Sequence, residues 1–152
     1  MCLSRLFNKK EVAVALKGKG QTFTAWKIIT VDVRFSRIKP LWCRRVTVFT
    51  AQTSSYTFCP GRNCRHNPKS FLGVNDSATV SYPAGLHCYL HKAHAKRRLS
   101  LGNRLIPVTV SRNSIVAVGE HVAVGEQEFC PVVVAKSIYI DPAELQSRMV
   151  RH

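Results

Sequence analysis

The chain has 152 residues, 45% of them apolar, with 23 Lys and Arg against 8 Asp and Glu for a net charge of +15. That length suits one domain, residues 1–152, with its own core, and that apolar fraction excludes wholesale disorder. No run of about 18 apolar residues occurs, so no membrane insertion is expected, and a chain this basic cannot act as a mimic of a polyanion.

In chain order, "MCLSRLFNKK" is basic and has no apolar stretch behind it, so residues 1–10 are expected to be a frayed terminus rather than a secretory signal. "EVAVALK" (11–17) alternates Val12, Val14 and Leu16 and predicts a half-buried strand, followed by a turn at Gly18–Gly20. "AWKIITVDVRF" (25–35) predicts the longest strand, with polar residues at one end of each face, and "RRVTVFTA" (44–51) predicts another. Residues 52–76, rich in Ser, Thr, Asn, Gly and Pro, read as one long loop. "SATVSY" (77–82) and "LHCYL" (86–90) return to strand, the second with Leu86, Cys88 and Leu90 inward. "HKAHAKRRL" (91–99) has no β-branched residue and predicts a short basic helix.

Strands then follow at 105–111, 114–118, 121–124 and 132–140, the last apolar on both faces at its start, as a central strand would be. The repeat "VAVGEH"–"VAVGEQ" (116–127) predicts a hairpin with Gly-Glu turns. At the end, Asp141, Pro142 and Glu144 occupy the N-cap, N1 and N3 positions of a C-terminal helix. The expected fold is α+β: a β-rich, mostly antiparallel sheet or partial barrel with one short basic helix and a C-terminal helix.

The six cysteines, with no secretory signal expected, point to a cytoplasmic setting and to thiols or metal ligands rather than disulfides. Cys59, Cys64 and His66 in "CPGRNCRH", joined by His91 of "LHCYLHKAH", are the candidate zinc ligands. Four residues separate the two cysteines, and no C-x2-C pair reinforces them, so free thiols with surface histidines are the simpler expectation and no cofactor is assigned. A nucleophilic cysteine would need a neighbouring histidine or cation to hold its thiolate. Cys64 and Cys88 have such neighbours in sequence, but no protease, deaminase, P-loop or dinucleotide motif surrounds them, and a non-enzymatic role is expected.

Charge carries the functional reading. Residues 1–46 hold 11 cations and 2 anions, residues 47–104 hold 8 and 1, and residues 105–152 hold 4 and 5. Beyond the lysines at 9, 10, 17 and 19, the cations group as Arg34, Arg37, Lys39, Arg44 and Arg45, beside Phe35 and Trp42; as Arg62, Arg65 and Lys69; and as Lys92, Lys96, Arg97 and Arg98 on the predicted helix. Cations hold phosphates, and exposed aromatics stack on unpaired bases, so these twelve residues are the candidate contacts to nucleic acid or a nucleoprotein.

Tyr82, Gly85, His87 and Tyr89, then an alanine-bearing helix, a valine-rich strand and a closing "VVVAKSIYI", give residues 82–140 a loose pattern. It resembles small accessory proteins encoded by tailed phages and prophages. The resemblance implies a protein made in the cytoplasm of an infected cell that interferes with host defence or nucleic-acid machinery, as an anti-CRISPR-like inhibitor would. A zinc-stapled protein-interaction module directed at a host enzyme and a cysteine-dependent enzyme are the alternatives.

Overall fold

The computed structural model describes residues 3–37, 43–51, 54–58, 63–65, 74–77, 80–83, 85–101, 103–121, 129–141 and 143–144; for 30–37, 43–51, 54–58, 63–65 and 74–77 it describes the backbone alone. Its organising element is β2 (Thr22–Arg37), a 16-residue strand with many β-branched residues and no Gly or Pro. One edge of β2 pairs with β9 (Asn103–Ser111), from Thr22 opposite Ser111 to Thr30 opposite Asn103. Its other edge meets β8 (Leu86–Tyr89) at Trp26 and then, from Ile29 to Arg37, β3 (Cys43–Ala51). Beyond β8 lie β11 (Cys130–Ala135), β10 (Ile115–His121) and the two-residue β1 (Arg5–Leu6). Beyond β9 lie β12 (Ser137–Tyr139) and β5 (Asn63–Arg65), and β3 continues to β4 (Ser54–Phe58). The pairings are antiparallel and the sheet curls into a half-barrel. A separate hairpin joins β6 (Val74–Ser77) to β7 (Val80–Pro83).

Both faces of the central strands are buried. On the first face, Ala25, Ile29, Cys88, Ile106, Val108, Val133 and Ile138 form one core cluster, closed by Val12, Ala15 and Leu16. On the second, Ile28, Tyr89, Leu105, Val132 and Val134 pack with Leu3, Tyr82 and Ala95. This explains the unbroken apolar run of residues 132–135, all buried between β10 and β8. The run does not continue to residue 140 as one strand. At Lys136 the backbone N–H turns to the Ser114 carbonyl (2.7 Å), and Ser137–Tyr139 crosses to the far side of β9.

Four further expectations are corrected. Residues 11–17 are not a strand: Lys9–Ala15 is helix α1. Asn8 Oδ1 accepts from the backbone N–H groups of Lys10 and Glu11 (2.9 and 3.0 Å), and Glu11 Oε2 accepts from the Asn8 N–H (2.8 Å), a complete capping box. Of the segment expected to fray, residues 3–10 are held in place, because Leu3 is fully buried, Arg5 and Leu6 pair with β10, and Arg5 bridges Glu11 and Glu120. The stretch 52–76 is not one loop, since β4, β5 and the start of the β6–β7 hairpin lie within it. The first Gly-Glu of the repeat is not a turn but the interior of β10. Gly119 lies so close under β1 that a Cβ there would overlap the Arg5 carbonyl, and the second copy lies outside the described residues. Asp141 Oδ1 does accept from the Ala143 N–H (2.9 Å), as an N-cap does, but residues 145–152 of the expected C-terminal helix lie outside the described residues.

A buried polar relay ties the N-terminal segment to β8. The Leu3 N–H donates to the Tyr82 hydroxyl (2.8 Å), which lies 2.9 Å from His87 Nε2. The Gly85 backbone also hydrogen-bonds the His87 ring, adding a fourth member to the chain. Burial, and then the Lys27 ammonium, push His87 down to about 3, which keeps the ring neutral. Gly85 itself is required by space: a Cβ there would stand 2.7 Å from Val134 Cγ1 and 2.9 Å from the Ala135 carbonyl oxygen.

Two outcomes follow from this packing. Gly85→Ala should destabilise the fold by about 2 kcal/mol or more through overpacking, whereas Gly20→Ala, whose Cβ would meet only the Thr22 carbonyl at 3.4 Å, should change it by less than about 1 kcal/mol. Urea unfolding midpoints of the two variants check this. Because the folded pKa of His87 lies below its ordinary 6.5, the unfolded chain takes up the proton first, and stability is lost as pH falls through 6.5 toward about 3. Going from about pH 7 to about pH 5, above the carboxylate range, should cost about 2 kcal/mol. An unchanged midpoint over that interval would show that the ring is not held neutral.

Candidate nucleic-acid interface

Residues 91–99 form the expected helix, α2 (Lys92–Arg97), with His91 as its N-cap residue. It is anchored by Ala95, fully buried on the second face of the sheet with Ile28, Tyr89 and Leu105. With Ala95 down, Lys92, Lys96 and Arg97 are exposed and Arg98 is half-buried, its guanidinium reaching Cys130 Sγ at 4.0 Å. The first turn holds no acidic residue, and His94, Lys96 and Arg97 crowd the last, where cations suit the helix dipole.

One residue distant in sequence joins this surface. Lys92 Nζ lies over the Trp26 ring of β2, 4.7 Å from its centroid, and Trp26 is half-buried against the second-face core. His91 is lowered by burial, then by the charges of His94 and Lys19, while the Lys19 ammonium itself lies over the Phe23 ring of the first-face core, 5.3 Å from its centroid. His94 is lowered by burial, then by Arg97 and Arg98, and the His91 and His94 rings meet edge to face at 5.3 Å. Lys19 is held by Arg112, whose guanidinium donates to the Leu16, Lys19 and Gly20 carbonyls at 2.7–3.0 Å and so caps the C-terminal end of α1 around Gly18 (φ +74°). Trp26 was hidden in the sequence because strand alternation placed it simply on a face with Ile28. Its exposure depends on where α2 ends.

The other predicted contacts are dispersed. Arg34 and Arg37 lie in the half of β2 that pairs with β3, opposite Val46 and Cys43, and Arg44 and Arg45 lie in β3 opposite Ser36 and Phe35. The register thus brings this sequence group together on one two-stranded ribbon. Arg65 is opposite Ser137 and Cys64 opposite Ile138 at the β5–β12 edge, while Lys39, Arg62, Lys69, Cys59, His66 and Trp42 lie outside the described residues. Among the described residues no three His, Cys, Asp or Glu side chains converge as a metal site would require, and His91 approaches His94 alone among these types of side chain.

The nucleophile expectation meets an opposing environment at Cys88. The thiol is fully buried in the first-face core, and burial pushes it up to about 11 despite the nearby Lys27 ammonium, so it is protonated. Its sequence neighbour His87 is engaged with Tyr82 on the opposite face of the strand. Lys27 is buried too, donating to the His87 carbonyl (2.9 Å), and burial lowers its pKa.

Compared with protein-family models, curated proteins and solved structures, the chain matches none. No helix among the described residues is long and apolar enough to cross a membrane.

Lys27→Met replaces a buried ammonium by an apolar chain of similar length. The released desolvation cost should offset the one lost hydrogen bond, leaving stability unchanged within about 1 kcal/mol or raised. Thermal and urea unfolding of the variant check this, and a loss above about 2 kcal/mol would show that the bond to His87 outweighs burial of the charge.

Proposed function

We propose that the chain binds nucleic acid, free or within a nucleoprotein, through the surface built on α2. The observation that carries this reading is the local conflict in that helix. Lys92 and Lys96 stand one turn apart and repel each other, with no carboxylate within salt-bridge distance among the described residues. Arg97 and Arg98 follow directly. A six-residue helix gains little from its own hydrogen bonds, so the burial of Ala95 in the core is what seats these charges together. A polyanion would turn that repulsion into attraction, and the net +15 would speed its encounter. The ribbon carrying Arg34, Arg37, Arg44 and Arg45 would extend the contact.

The expected behaviour is affinity that falls steeply as salt rises. In labelled-oligonucleotide anisotropy titrations, the double variant Lys92→Gln/Lys96→Gln should bind about tenfold more weakly near 0.1 M salt and lower the log–log salt slope by roughly 1.5 to 2. A flat salt response, or no binding at low salt, would refute the proposal. A protein partner retained from nuclease-treated lysate together with such a result would point instead to a host-protein target.

A further inference from the structure

We infer that the nucleic acid taken by this surface is single-stranded, its bases stacking on an open sheet face that carries Trp26 and Tyr139; the inference rests on the nucleic-acid reading above. Residues directly opposed in an antiparallel ladder share a face. The register sets Trp26 opposite Pro107, and sets Thr24 opposite Thr109 and Thr109 opposite Tyr139. Their chain neighbours Phe23, Ala25, Val108, Val110 and Ile138 all point into the first-face core. The rows with Trp26 and Tyr139 therefore lie together on the second face. There Thr24 and Thr109 are exposed, Trp26 and Pro107 half-buried, and Tyr139 is 41% exposed.

The same face is treated differently a few strands away. Over β8 and β11 it is covered by Leu3, Tyr82 and Ala95 and is fully core. Among the described residues the cover stops at α2, and the helix borders the open region through the contact of Lys92 with Trp26. A platform of two aromatics and two threonines thus meets the basic helix α2 at Lys92. Trp26 and Tyr139 are two strands and one pleat apart, about 12 Å, the scale on which sheet platforms stack two or three bases.

Charge complementarity and ring chemistry together select the occupant. Cations alone suit any polyanion, but stacking rings need bases that are free of a duplex. Lys92 covers Trp26 without blocking it. A cation–π contact at such a site favours the closed arrangement about two- to fivefold, whereas one stacked base favours binding about five- to 150-fold. An arriving base displaces the ammonium, which is then free to move to the phosphate of the same strand.

The test uses the full chain with Trp42→Phe, which leaves Trp26 as the lone tryptophan. It is titrated at low salt with a short oligo(dT) and with a duplex of equal length, reading tryptophan fluorescence and the anisotropy of labelled DNA. The expected result is saturable quenching by oligo(dT) and affinity for it about tenfold or more above that for duplex. Tyr139→Ala, at an exposed position, should weaken oligo(dT) binding about fivefold or more while leaving both duplex affinity and salt slope unchanged, and Trp26→Leu should do the same where it folds. Equal affinity for duplex and single strand without quenching would overturn this inference and leave nucleic-acid binding standing. Preference for oligo(dT) with no quenching and no effect of Tyr139→Ala would overturn the assigned face. No binding of either probe would overturn both readings.

Discussion

Everything in this fold depends on β2 being shared. A strand has two edges, yet β2 serves three neighbours by keeping β9 along one edge and exchanging β8 for β3 on the other near Ile29. The exchange is why 16 residues can run through a domain of this size. The first half is central to the sheet and the second leaves it as a ribbon with β3. It also sets the two faces at odds. Among the described residues, the curling sheet and α1 close the first face, while on the second, cover comes from short pieces: Leu3, the β7 strand and α2. Those pieces cover β8, β11 and Leu105 of β9, and the more exposed rows of β9 and β12 are where Trp26 and Tyr139 lie.

The short pieces stay in place through buried polar contacts, which have direction where apolar packing has none. Leu3, Tyr82, His87 and Gly85 form one satisfied chain of donors and acceptors, so losing any member would strand a buried partner. Tyr89 completes the set, buried opposite both Trp26 and Val132. Tyr82, Gly85, His87 and Tyr89 are thus all accounted for by packing. What they specify is the seating of one strand, and the chemistry of the surface lies elsewhere.

That surface depends on local instability being tolerated. α2 concentrates cations on a helix too short to hold itself, and Ala95 anchors it in the core. Such conflicts between local preference and global fold are where function is expected.

The sequence by itself determined the β-rich class, the position of α2, the burial of Cys88 and the doubly apolar β11, because alternation and propensity act through neighbours a few residues away. It also held the Asn8–Glu11 capping box of α1, but Val12, Val14 and Leu16 fit a strand while Val12, Ala15 and Leu16 fit a helix, and period alone did not choose between them. Only the tertiary structure decided that Gly119 lies within a strand rather than at a turn, since the reason is the close approach of the Arg5 carbonyl from more than a hundred residues away. It alone decided that residues 132–140 divide between two places in the sheet. It alone brought Lys92 over Trp26 and left Trp26 half-covered. Exposure on a strand depends on what crosses above it, and no spacing within the strand records that.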